Sequence, residues 1–237
     1  MDSIEPILTE YGKLLDLTFT AHQIQKFQTY MELLVEWNEK INLTAITEPK
    51  EVAVKHFLDS LTVMQAAEIK PESNIIDVGT GAGFPGLPIK IMRPDVHLTL
   101  LDSLNKRLIF LKEVCSELKI EASFLHARAE EGGRQKALRE KFDIATARAV
   151  APLNLLCEYC LPFLKIGGTF ISMKGPNCTE EVQQAQKAIA LLGCELRQQK
   201  EFFLPDGSGR TLIVIQKTKA TPDIYPRHGL KITKNPL

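Results

Sequence analysis

Asp77-Val78-Gly79-Thr80-Gly81-Ala82-Gly83-Phe84-Pro85-Gly86 decides the fold, because it follows directly on a β-branched apolar run at 74–78 and leads into a helical pattern. A strand that ends in alternating glycines and reopens as a helix is the first turn of a strand–helix–strand unit. Glycine there permits positive φ and lets the backbone approach a ligand with no Cβ between. Pro88 belongs in the first turn of the helix, which therefore starts near Leu87.

Toward the C-terminus the alternation repeats. Apolar runs stand at 97–101, 122–125, 142–147, 169–173, 196–203 and 211–216, with helical patterns at 106–119, near 130–138, at 153–164 and at 179–192. Such alternation implies right-handed crossovers and a mainly parallel sheet with helices on both faces. The last two strands are joined only by the loop Leu204-Pro205-Asp206-Gly207-Ser208-Gly209, so they should pair as an antiparallel hairpin. Toward the N-terminus there is no strand signal before residue 74. Thr20 and Gln23 form a capping-box pattern for an amphipathic helix over 20–40, with further helices before Leu17 and over 52–67. The expected fold class is α/β: a Rossmann-like, seven-stranded, mostly parallel sheet with a C-terminal antiparallel hairpin and an N-terminal helical extension. The expected divisions are a helical extension over 1–70, the α/β domain over 71–218 and a basic C-terminal tail over 219–237.

The composition, 44% apolar and 24% charged over 237 residues, is that of an ordinary globular chain. No apolar run approaches the roughly 20 residues that span a bilayer, so no membrane partner is expected. Asp2, Glu5, Glu10, Lys13 and Asp16 interrupt the N-terminus, which excludes a secretory signal and makes the cytoplasm the expected location. Cys157 and Cys160 form a CxxC, but inside an apolar helical stretch with no second ligand pair; they read as buried thiols, and no metal is expected. The net charge is zero, yet residues 1–70 carry 6 basic and 11 acidic side chains while 197–237 carry 8 and 3. The basic end is a candidate footprint for phosphates.

In a doubly wound sheet the ligand lies beyond the carboxyl ends of the strands, where strand order reverses. Asp77 with Gly79, Gly81 and Gly83 fits the acidic-x-Gly-x-Gly-x-Gly signature of S-adenosylmethionine (SAM) enzymes. Gly81, Gly83 and Gly86 fit the GxGxxG of a dinucleotide fold equally well. A carboxylate at the strand end would repel a pyrophosphate, the helix starts late, and no second domain follows to hold a hydride acceptor. SAM is therefore the expected cofactor. An NAD-dependent oxidoreductase is the alternative enzyme, and a non-enzymatic RNA-binding assembly factor the alternative from another class. Asp102 closes the second strand, where a carboxylate accepts ribose hydroxyls or caps the next helix. Ala129 and Glu130, after the third strand, are the candidates at the adenine. Arg148, after the fourth, is placed to face the methyl donor as the candidate catalytic group, and replacing it with alanine should lower turnover and leave the fold intact. The Asn/Asp-Pro-Pro-aromatic segment that many amine methyltransferases carry there is absent. His56 and Asp59 share a helix face and are expected to fix that helix to the main domain.

Several short motifs occur together: Trp37-Asn38 with Ile41-Asn42-Leu43-Thr44, His56-Phe57-Leu58-Asp59-Ser60, Asp77 to Pro88, Arg148-Ala149, Met173-Lys174-Gly175, Gly209-Arg210, and an ending with Arg227, Gly229, Lys231, Lys234 and Pro236-Leu237. In this order they resemble the ribosomal RNA small subunit methyltransferase G (glucose-inhibited division protein B) family almost end to end. The resemblance implies a class I SAM-dependent methyltransferase acting on N7 of one guanine in a 16S rRNA loop near the decoding centre. It implies cofactor contacts at Gly79, Phe84, Ala129, Glu130 and Arg148, with 16S rRNA or the small ribosomal subunit as partner of an expected monomer. Lys165, Lys174, Arg197, Arg210, Arg227, Lys231 and Lys234 are the expected phosphate contacts.

Overall fold

In the computed structural model, which describes residues 2–237, seven strands form one sheet: β1 (Asn74–Val78), β2 (His97–Asp102), β3 (Ser123–His126), β4 (Phe142–Arg148), β5 (Leu164–Lys174), β6 (Cys194–Phe203) and β7 (Gly209–Lys217). Their order is β3-β2-β1-β4-β5-β7-β6. The first five run parallel, and β7 pairs antiparallel with both β5 and β6. Strand order reverses between β1 and β4, where Asp77 stands between Leu100 of β2 and Thr146 of β4. The carboxyl ends of β1 and β4 thus form the crevice expected to hold ligand.

Two apolar cores cover the sheet. On one face lie α5 (Gly86–Met92) and α6 (Asn105–Leu118) together with the N-terminal helices α1 (Glu5–Leu14) and α2 (Ala21–Asn38). On the other lie α8 (Leu153–Cys160) and α9 (Thr179–Leu191). Thr20 caps α2 with the full capping box. Its buried residues Phe27, Tyr30, Met31 and Leu34 recur at helical spacing, so one stripe of α2 joins the core of the α/β sheet. The stretch from residue 49 to 65 is one helical rod of varying pitch: α3 (Pro49–Glu51), a π-helix at Val52–Leu58, α4 (Asp59–Leu61) and a 3-10 turn at Thr62–Gln65. π-helical turns are rare and concentrate at functional sites.

Two local expectations need correction. The helix near 130–138 is only α7 (Ala129–Gly132), because two glycines, Gly132 and Gly133, end it. The helix over 153–164 stops at Cys160 and tightens to 3-10 geometry over Leu161–Phe163 around Pro162. Beyond β7 the basic end is anchored. Arg139 donates to the carbonyls of Thr221 (2.6 Å) and Tyr225 (2.7 Å), and α10 (Gly229–Lys234) closes the chain.

Candidate active site

Asp77 ends β1 fully buried, and its carboxylate braces the glycine turn. Oδ2 accepts from Thr80 Oγ1 at 2.6 Å and from the Gly86 N–H at 3.1 Å, while Oδ1 accepts from Thr146 Oγ1 at 2.9 Å. Burial raises its pKa, and these three hydrogen bonds oppose the rise. Gly79 has φ +68°, and a Cβ there would come within 2.8 Å of Val150 Cγ2, so the residue must be glycine.

A cavity of about 370 Å³ opens beyond the turn, lined among others by Gly79, Asp102, Ser103, Ala129, Glu130 and Tyr159. Asp102 is almost fully buried. Its Oδ1 accepts from Leu104 N at 2.8 Å, in the turn just before α6, and its Oδ2 accepts from Gly81 N at 2.9 Å and Arg107 Nη1 at 3.3 Å. Glu130, also buried, accepts from Arg128 Nε at 3.0 Å and packs against Gly229 of α10. SAM fits this space: its volume suits a small ligand, the Gly79 cradle would be filled by any Cβ, and two carboxylates offer acceptors to hydroxyl and amine donors.

Four of the expected cofactor residues, Gly79, Asp102, Ala129 and Glu130, line this cavity. The other five do not line this cavity. Asp77, Gly81 and Gly83 build the turn from behind: Asp77 and Gly81 through the hydrogen bonds above, and Gly83 by close packing on Tyr30, Leu87 and Leu111. Phe84 lies behind the Arg148 guanidinium, 5% exposed. Its ring stacks between His56 (4.6 Å, 21°) and Tyr30 (5.4 Å, 22°), and the Tyr30 hydroxyl donates to the Ala82 carbonyl. Arg148 lines a second cavity.

That second cavity, about 350 Å³, is lined by Lys55, His56, Asp59, Arg148, Lys174 and Arg210 among others. Ala149 lines both cavities and has φ 54°, a left-handed conformation that costs a non-glycine residue about 1 kcal/mol or more. Arg148 Nη1 donates to the Lys55 carbonyl (3.0 Å) and Asp59 Oδ2 (3.3 Å), Nη2 donates to His56 Nδ1 (3.2 Å), and the guanidinium carbon sits 4.8 Å from the Phe84 centroid. Arg210 Nε holds the other Asp59 oxygen at 3.2 Å. The expectation that His56 and Asp59 tie their helix to the main domain thus acquires a mechanism, and the tie runs through Arg148.

Because Arg148 stays protonated and donates, His56 Nδ1 must accept, which leaves the proton on Nε2 to be donated to Thr44 Oγ1 at 2.8 Å. Burial, and then the Arg148 charge, lowers the His56 pKa to about 3. Desolvation raises the Asp59 pKa, and the two arginines oppose that rise. A histidine depressed in the folded state binds its proton far more readily once unfolded, so His56 favours folding above pH 6.5 and loses that contribution as pH falls toward 3. Between pH 7 and pH 5 this is expected to remove about 2 kcal/mol of stability. Asp59 acts in the opposite sense below its raised pKa. Urea unfolding of His56→Gln at the two pH values isolates the histidine: the loss should shrink in the variant, and an equal loss refutes the assignment.

The expected phosphate contacts do not share one surface. Lys174 and Arg210 line the Arg148 cavity. Lys231 and Lys234 lie on α10, whose first residue touches Glu130. Lys165 pairs with Asp143 (3.0 Å) and Arg197 with Gln216 (2.7 Å), both at the opposite end of the sheet, because strand direction sets the end at which each residue emerges. Arg227 is engaged elsewhere, since its backbone and guanidinium donate four hydrogen bonds to the buried Glu158. Lys55, Tyr30 and Thr146 escaped the sequence reading. Thr146 could have been found as a hydroxyl facing inward on an apolar strand, whereas nothing local marks Lys55 or Tyr30.

This fold, with a carboxylate-lined cavity joined to a cationic one at Ala149, defines a class I SAM-dependent methyltransferase. The family model GidB, rRNA small subunit methyltransferase G, matches residues 23–207. The chain belongs to that family. Ribosomal RNA small subunit methyltransferase G of Alkaliphilus metalliredigens (strain QYMF) is 55% identical over 218 residues, 91% of each chain. The protein of the same name from Desulforamulus reducens is 49% identical over 239 residues, covering 100% of both. Among solved structures, TrmN from Thermus thermophilus aligns at TM-score 0.53 and 18% identity over 67% of this chain and 48% of its own. A SAM-dependent O-methyltransferase from Thermotoga maritima aligns at 0.53 and 16% over 80% and 72%. At those identities the likeness is one of fold. Family membership sets aside both the dinucleotide-dependent oxidoreductase and the non-enzymatic assembly factor. Among the described residues no helix is long and apolar enough to cross a membrane.

Proposed function

We propose that the chain methylates N7 of a guanine in 16S rRNA of the small ribosomal subunit, acting as a cytoplasmic monomer. The observation that supports this most directly is the character of the Arg148 cavity. Four cationic side chains (Lys55, Arg148, Lys174 and Arg210) line it; Lys55 and Lys174 are held by Glu51 and Glu181 and the two arginines share Asp59, an array of donors that suits a polyanionic substrate. The cavity's two candidate bases are both engaged. His56 has a pKa of about 3 and both ring nitrogens engaged, and Asp59 is clamped by two arginines. Guanine N7 is an acceptor that needs no base, because its lone pair lies in the ring plane and carries no proton.

Bound SAM supplies a methyl group activated by a sulfonium. The chain's contribution is placement, for which a near-attack geometry is worth roughly 7–11 kcal/mol. Asp102 and Glu130 would accept hydrogen bonds from the adenosine part, and the Gly79 turn would admit the cofactor close to the backbone. Arg148, fixed by three acceptors and the Phe84 face, is a positioning residue that shapes the acceptor wall beside Ala149. Asp102→Ala is expected to weaken SAM binding about 100-fold, since hydrogen bonds to a charged acceptor contribute about 1.5–3 kcal/mol each. Calorimetric titration checks this, and wild-type affinity would refute the ribose role.

The function itself is tested with radiolabelled SAM and 16S rRNA from cells lacking this enzyme, followed by chemical cleavage at N7-methylguanine. Cleavage at one loop guanine is expected. Label without that cleavage would overturn the N7 assignment, and no label in rRNA or in small subunits would overturn the substrate.

A further inference from the structure

We propose that Phe203 is a stacking platform for an unpaired nucleobase of the RNA that enters the Arg148 cavity, an inference that rests on the rRNA reading above. Phe203 is the last residue of β6 and is 76% exposed, whereas its neighbour Phe202 packs against the core. Alternation along the strand explains why one ring faces in and the next out. It does not explain why the outward position holds a large apolar ring.

The position of that ring does. β7 runs antiparallel to β5, so the β6–β7 turn emerges at the carboxyl end of the parallel strands, beside the ligand crevice. Phe203 pairs with Gly209, and its ring edge lies 3.8 Å from where a Gly209 Cβ would stand. Pro176 packs on the same glycine, at 3.1 Å from that point. Gly209 and Pro176 are the immediate chain neighbours of Arg210 and Gly175, both of which line the Arg148 cavity. The ring therefore stands one residue from the cavity wall along β7 and beside the loop that follows β5.

The turn that carries it is closed by its own hydrogen bonds. Leu204 N donates to Ser208 O at 2.9 Å, Gly207 N donates to Leu204 O at 2.9 Å, and the Asp206 carboxylate accepts from both Ser208 N (2.9 Å) and Ser208 Oγ (2.8 Å). Leu204 is buried beneath it, and Asp206 reaches Lys55 of the π-helix at 4.0 Å. A fixed aromatic face loses little freedom on binding. The cations Lys55, Lys174 and Arg210 beside it complement the phosphates of a single strand whose bases are splayed out, the combination by which single-stranded RNA is gripped.

The test compares wild type with Phe203→Ala, Phe203→Leu and Phe203→Trp. It measures methylation kinetics on 16S rRNA and, independently, the affinity of each protein for a fluorescein-labelled single-stranded oligoribonucleotide. Stacking predicts that Phe203→Ala raises the RNA Kd and KM by about 5- to 100-fold with kcat and SAM affinity close to wild type. Phe203→Trp should restore binding, and Phe203→Leu, apolar without a π face, should behave like alanine. Unchanged RNA affinity in Phe203→Ala overturns the proposal and turns the ring toward a protein partner; rescue by leucine equal to that by tryptophan overturns stacking as the cause. If wild type methylates no rRNA, the proposed function fails, and the oligoribonucleotide affinities still decide the role of Phe203.

Discussion

Arg148→Ala is expected to lower folding stability by about 3–5 kcal/mol and to remove most of the turnover. The substitution deletes the hydrogen bonds to the Lys55 carbonyl, Asp59 and His56 and the contact with the Phe84 face. It leaves Asp59, whose side chain is 5% exposed, with Arg210 as its one remaining cation. Removing one partner of a buried ion pair is much more damaging than replacing both, because the survivor stays desolvated and uncompensated. For a chain of 237 residues such a loss corresponds to a melting temperature about 10 °C lower. Local sequence context alone suggests a variant with an intact fold. The structure changes that expectation, since Arg148 joins β4 to the π-helix about ninety positions earlier in the chain. The double variant Asp59→Leu/Arg148→Met separates the two roles: it should recover much of the stability and little of the turnover. A melting temperature of Arg148→Ala equal to wild type would remove the structural role, and wild-type turnover in the double variant would remove the positioning role.

Gly83→Ala is expected to destabilise the chain by about 2–6 kcal/mol, from left-handed backbone strain of about 1–3 kcal/mol and a similar overpacking term. Gly83 has φ +97°, and a Cβ there would overlap the Tyr30 hydroxyl and stand 2.8 Å from Leu111 Cδ2 and 2.9 Å from Leu87 Cδ1. Those neighbours belong to α2, α6 and α5, so relief requires moving a helix or the turn itself. Either movement shifts Gly79 and Gly81, and SAM affinity should fall with stability. Gly207→Ala is the internal control. It has φ +83° with nothing within 4 Å of its Cβ, so it carries strain without overlap and should lose only about 1 kcal/mol. Thermal unfolding and SAM titration of both variants check this; equal losses at the two positions would show that packing at Gly83 contributes nothing.

The elements were legible because they are written in local chemistry. β1 falls on the run at 74–78, the capping box at Thr20 starts α2, and the glycine turn with Pro88 just beyond it opens α5. The missing helix between β6 and β7 fixed the hairpin, since a short loop can join only antiparallel neighbours. Asp102 was legible as a carboxylate beside the ligand crevice, because that follows from its place at a strand end, whereas the alternative of a helix cap is not realised, since its Oδ1 accepts from Leu104 N before α6 begins.

What the sequence determined by itself, then, is the order and kind of the elements, the switch point at β1 and β4, and the backbone cradle at Gly79. Periodicity and turn chemistry act between residues a few positions apart. Tertiary structure alone decided which way the side chains of the site point. Asp77 turns inward to brace the turn, Phe84 slides between His56 and Tyr30, and Arg148 reaches Lys55 and Asp59 on a distant helix. Lys165 and Arg197 emerge at the far end of the sheet while Arg210 and Phe203 emerge beside the cavity, because a strand's direction in the assembled sheet, which no local pattern records, sets the end to which each residue is carried.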